Sequence, residues 1–166
     1  VSVTLTRDRL PELLRSVKEL TKRTVQVGVP DEDADRKPVE GESEPITNAA
    51  LAYIHENGVP EKNIPARPFM VPGIDSAKER ITKQLVKAGE AMLDTGSKTE
   101  LDKALGRVGL IAQSAIQNKI TDGPFAPLAP KTIAERKARG NESDKPLIDT
   151  GQLRQAITFV IRDRGK

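Results

Sequence analysis

The residues with the strongest claim to chemistry lie near the end of the chain, in Leu147-Ile148-Asp149-Thr150-Gly151. An Asp set between apolar residues and a tight Thr-Gly turn can share a proton with a second carboxylate and so activate water. His55 is the one histidine, and the chain has no Cys. A metal site would therefore have to be built almost wholly from carboxylates, so His55 reads as a boundary residue of its helix, with no metal or other cofactor implied. Gly106 and Gly109 fall within the apolar period of a helix, where close packing explains them better than phosphate binding.

The Asp149 segment resembles the active-site loop of aspartic proteases, which use two such Asp residues. A retrovirus-type enzyme obtains the second by dimerising. The surroundings differ: Gly151 is followed by Gln152-Leu153-Arg154, where those enzymes continue with Ala or Ser, and no Gly-rich flap follows. Asp149 and Gln152, three residues apart, also match a capping box, which answers the free amides of a helix start. Helix capping is the expected role, with the protease kept as an alternative. Arg136, Lys137, Arg139 and Arg154 form a candidate phosphate-facing patch. With so few aromatic residues for stacking, that patch implies at most passing contact with DNA.

These residues must be positioned by a modest scaffold. A chain of 166 residues holds one domain, here 1–166, and 36% hydrophobic content with no Trp demands an aliphatic core. The absence of Cys excludes disulfides and thiol nucleophiles and suits a reducing cytoplasm. No stretch approaches the ~18 apolar residues of a membrane span, and the N-terminus lacks the apolar block of a signal peptide, so a soluble protein not exported by that route is expected. The net charge of +3 hides a segregation: residues 31–44 carry seven acids against two bases, whereas 131–166 carry nine bases against five acids. Opposite-sign regions favour head-to-tail contact between copies.

Alternation at Val1, Val3 and Leu5, at Val25, Val27 and Val29, and at Ile157, Phe159 and Ile161 predicts three half-buried strands. Between the first two, Asp8 caps a helix whose Leu10, Leu13, Leu14, Val17 and Leu20 should cover the sheet. Residues 31–45 read as an acidic mobile loop, ordered only on assembly. A short helix capped by Thr47 and stopped at Asn57-Gly58 follows. The four prolines of 59–73 predict an extended arm, and 124–130 a second. Between the arms, two long apolar periodicities broken at Thr95-Gly96-Ser97 predict an antiparallel helical hairpin, and a short basic helix spans Lys131 to Arg139. The expected fold is α+β: a small antiparallel or mixed sheet of 3–4 strands packed against a first helix and a long helical hairpin, with extended Pro-rich arms.

Ile64-Pro65-Ala66-Arg67-Pro68-Phe69-Met70, preceded by Tyr53-Ile54-His55-Glu56-Asn57-Gly58, resembles the "IPARPF" signature of tail-completion, or neck, proteins of tailed bacteriophages. Phe125-Ala126-Pro127-Leu128-Ala129-Pro130-Lys131-Thr132, followed by Lys145-Pro146-Leu147-Ile148-Asp149-Thr150-Gly151-Gln152-Leu153-Arg154, resembles a second pattern of that family, with Phe125 where Trp is common. The resemblance implies a structural virion protein and not an enzyme. It would complete the tail and help join it to the head, as a ring most often of six copies around the DNA channel. Its partners would be its own copies and neighbouring neck and tail proteins, without a membrane, in the virion and, during assembly, the host cytoplasm. A DNA-contacting assembly factor is the alternative. Stiff proline arms lose little entropy on docking, which makes Ile64, Pro65, Arg67, Phe69, Met70, Phe125, Leu128, Leu147, Asp149 and Arg154 the expected subunit or partner contacts. Clamping of the hairpin within the chain is the other role open to them.

Overall fold

A computed structural model describes residues 10–30, 34–40 and 45–164. Helix α1 (Leu10–Lys22) runs without a linker into strand β1 (Arg23–Gly28). Helix α2 (Asn48–Asn57), the long helices α3 (Met70–Thr95) and α4 (Lys98–Asp122), and the short helices α5 (Pro130–Ala138) and α6 (Gln152–Ala156) follow. Strand β2 (Thr158–Asp163) completes the order.

The hairpin of α3 and α4 is the centre. Its two-residue turn uses Gly96 at φ 64°, whose N–H donates to the Met92 carbonyl, while the Ser97 hydroxyl accepts from the Glu100 N–H and caps α4. Small residues let the helices approach: a side chain on Gly73 would strike the backbone of Ile116. β1 and β2 pair antiparallel from Arg23↔Asp163 to Gly28↔Thr158 and lie on α4, with Phe159 over Gly109. One apolar cluster gathers Ala52, Phe69, Ile116, Ile120, Leu147, Leu153 and Ile157. The other gathers Ala88, Met92, Leu101, Ala104 and Leu105 near the hairpin turn.

Three expectations change. Among the described residues the sheet has two strands, not three or four, and Val29 lies just past β1; Val1 to Thr6 and Asp8 fall outside those residues. Helix α1 forms as expected but does not cover the sheet, because α4 already occupies its apolar side. Leu10, Leu13, Leu14 and Val17 are 40–62% exposed, and only Leu20 reaches the second cluster. Glu19 meets Lys98 at 3.0 Å, tying α1 to the start of α4.

The first arm is not extended throughout. Gly58, at φ 73°, closes α2, and Val59 pairs with Ile64 around a 3-10 turn at Pro60–Lys62. α3 then begins at Met70, inside the stretch that its prolines marked as extended. The reason is Glu56: its carboxylate accepts from the amides of Phe69 (2.7 Å), Met70 (2.9 Å) and Val71 (3.1 Å). Pro72, next in line, has no N–H to satisfy. Of the acidic segment, residues 34–40 and 45 are described, whereas 31–33 and 41–44 fall outside the described residues. Lys37 exchanges two hydrogen bonds with the Gln152 amide (2.7 and 3.2 Å), and Asn48 donates to the carbonyls of Ala34 and Asp35.

Candidate functional site

Both signature segments flank α2 and the open end of the hairpin, and two buried arginines organise them. Pro65 and Pro68 hold the backbone around Arg67, whose amide donates to the His55 carbonyl at 2.7 Å. Its guanidinium, in a residue 5% exposed, donates to the carbonyls of Ala126 and Pro127, both at 2.8 Å. The first arm thus grips the second, fifty-nine residues later in the chain. Phe69, two residues on, is fully buried in the first cluster, and Phe125 packs half-buried against Gly123.

Arg136 does the same for the loop between α5 and α6. It is 6% exposed, and its Nη1 donates to the carbonyls of Lys145 (2.8 Å), Ile148 (3.0 Å) and Ser143 (3.4 Å), with Nη2 near Pro146 (3.4 Å). A planar fork of donors can hold several carbonyls in one plane, which an ammonium cannot. Burial lowers the proton affinity of both arginines; the charge of Arg136 lowers that of Arg67 further, while Asp149 partly offsets the effect at Arg136. His55 feels the charge of both. Desolvation, then Arg67 and Arg136, push it from 6.5 down to about 4, so it is neutral at pH 7.

Asp149 is not the cap of α6. That position belongs to Gly151 at φ 79°, which makes no side-chain cap, and the capping-box expectation fails because other donors claim the carboxylate. Arg139 Nη2 reaches it at 3.1 Å, Asn141 Nδ2 at 2.6 Å, and Arg136 Nε lies 3.7 Å away. Its partners among the described residues of the one chain are all donors, which engages the carboxylate in holding this loop. The phosphate-facing patch is likewise dispersed: Arg136 is buried, Arg139 serves Asp149, and Arg154 donates to the Thr121 hydroxyl at 3.1 Å. Among the described residues, no group of three His, Cys, Asp or Glu is placed to hold a metal.

Of the expected contact residues, Arg67, Phe69 and Leu147 are buried within the chain; Ile64, Met70, Phe125, Leu128, Asp149 and Arg154 are half-buried; only Pro65 is exposed. The clamping role open to these segments is therefore realised within one chain. Glu56, Asn141 and Gln117, whose amide donates to the carbonyls of Arg154 and Ile157 (both 3.1 Å), were not singled out from the sequence. The signal for Glu56 was an acid shortly before a helix whose own Phe69 N-cap has no capping side chain.

The surface open to a neighbour lies elsewhere, on the α1 stripe of Leu10, Leu14 and Val17 and on the outer hairpin at Val86 and Leu110. No described helix is long and apolar enough to cross a membrane. Compared with protein-family models, with curated proteins and with solved structures, the chain matches none.

Proposed function

We propose that the chain is a structural subunit of the neck of a tailed bacteriophage, which completes the tail and helps join it to the head as part of a ring. The observation that carries this reading is the bond pair from Arg67 to Ala126 and Pro127, which joins the two segments that resemble tail-completion proteins into one rigid corner. A rigid corner keeps its shape under load and loses little entropy when a neighbour docks on it. The exposed apolar stripe on α1 supports the same reading, since a monomer gains nothing from leaving Leu10, Leu14 and Val17 in water. Such a stripe meeting a different surface on the next copy makes a heterologous contact, which closes into a ring when the rotation permits.

The test is native mass and negative-stain imaging of the full chain over a range of concentrations, with purified tails added in parallel. Closed oligomers, or stable addition to one end of the tail, are expected. A chain that stays monomeric throughout and joins neither tails nor heads overturns the reading.

A further inference from the structure

Several bases of the C-terminal region are engaged inside the fold. Arg136 is buried, Arg139 serves Asp149, and Lys145 and Arg154 donate to the carbonyl and the hydroxyl of Thr121. Positive charge without a partner lies on the hairpin instead. Midway along α3, on its outer face with α4, is an open groove of about 510 Å³, lined by apolar Val86 and Ile111 and by Arg80, Lys83, Lys87 and Glu90. Arg80, Lys83 and Lys87 are exposed and make no ion pair or side-chain hydrogen bond among the described residues. Three bases to one acid, beside a valine 54% exposed, suit a partner that is acidic and partly apolar.

The chain itself carries such a partner. Residues 31–44 hold seven acids against two bases, and Ile46, 42% exposed, follows them. Of these acids, Asp35 and Glu40 are described, and both are exposed with no ion pair among the described residues. The described part of the stretch is anchored by Lys37 to Gln152 of α6 and by Asn48 to Ala34 and Asp35, beside the open end of the hairpin. Acidic and basic surfaces at different places on one subunit meet head to tail between copies. DNA fits the groove less well. A phosphate backbone gains nothing from Val86 and Ile111 and is repelled by Glu90, and the described lining holds no aromatic side chain on which a base could stack.

We propose that the groove receives the acidic stretch of a second copy of this chain. Carboxylates of 31–44 meet Arg80, Lys83 and Lys87, while Ile46 covers Val86 and Ile111. The inference rests on the ring reading above and names one contact between its copies.

A fluorescent peptide of residues 31–46 is titrated with the full chain and followed by anisotropy. Saturable binding is expected, weaker by about tenfold in Lys83→Glu with Lys87→Glu, weaker as salt rises, and weaker when the peptide carries Ile46→Gln. Both lysines are exposed, so the fold survives their replacement. Lys62→Glu with Lys131→Glu, at exposed bases outside the groove, leaves binding unchanged. Native mass separates this contact from the ring. Peptide binding by a chain that never closes into rings upholds the contact and overturns the ring. Rings that persist unchanged in the Lys83 and Lys87 variant overturn the contact and leave the ring standing. A flat titration, wild-type affinity in that variant, or displacement of the peptide by a short DNA duplex seated on the same lysines overturns the proposal.

Discussion

The ring of Phe159 rests on the bare backbone of Gly109, in the space where any side chain on that glycine would begin. This contact seats the two-stranded ribbon on α4. Gly109→Ala should lower stability by a net of about 1–2 kcal/mol, since overpacking outweighs the ~1 kcal/mol gained in helix propensity. Urea unfolding with an unchanged slope is the measurement, and Phe159→Leu in the same chain should restore part of the loss. Additive effects of the two changes would mean that the residues do not press on each other.

Glu56 caps a helix that it does not belong to. Glu56→Ala leaves the amides of Phe69, Met70 and Val71 without their acceptor and should cost about 1–2 kcal/mol, with Glu56→Gln milder. Hydrogen exchange should quicken first in the opening turn of α3. Uniform quickening along the helix would contradict local capping.

His55 makes stability depend on acid. Its folded value of about 4 lies below the ordinary 6.5, so between these values the unfolded chain holds more protons than the folded one. Its contribution is therefore full above pH 6.5 and falls as pH drops toward 4, by up to about 3 kcal/mol. His55→Gln should flatten this part of the stability profile. A slope that persists in the variant would assign it to other groups.

Arg136→Lys keeps the charge and loses the fork. Carbonyls from Ser143 to Ile148 lose their common donor, and a cost of about 3–5 kcal/mol is expected, with exchange fastest in residues 140–151. Asp149→Asn should cost less, about 1–3 kcal/mol, because Asn141 can still donate to the remaining carbonyl oxygen. Under the structural reading neither Asp149→Asn nor the parent chain cleaves a peptide library, and cleavage abolished by Asp149→Asn would restore the protease alternative.

Polar replacements on α1 separate folding from assembly. Leu14→Gln with Val17→Gln should leave the stability of the monomer within about 0.5 kcal/mol, because both side chains already face water. The same pair should abolish ring formation if the stripe is an interface, as native mass will show.

What was legible in the sequence was what is settled locally. Thr47 caps α2 through the Ala50 amide, and Gly58 ends it, both from residues adjacent in the chain. The turn at Thr95 to Ser97 and the periodicity of α3 and α4 are of the same kind. The start of α3 was misplaced because its acceptor comes from fourteen residues away, and prolines read alone mark an extended chain. Asp149 was misassigned because the capping-box pattern could not register a competing Arg139 and Asn141. Arg136 looked like part of a charged surface; its burial depends on a loop folding back over it, which no periodicity encodes. The apolar face of α1 was visible, but its lack of cover was not, since that depends on α4 reaching the sheet first.

The turn between α3 and α4 offers a practical handle. Nothing lies within 4 Å of where a side chain on Gly96 would project, and the turn sits at the opposite end of the hairpin from the arms that Arg67 joins. A peptide tag inserted after Gly96 would mark one pole of the subunit while leaving the other untouched. In images of an assembled particle, such a label would reveal which way each copy points.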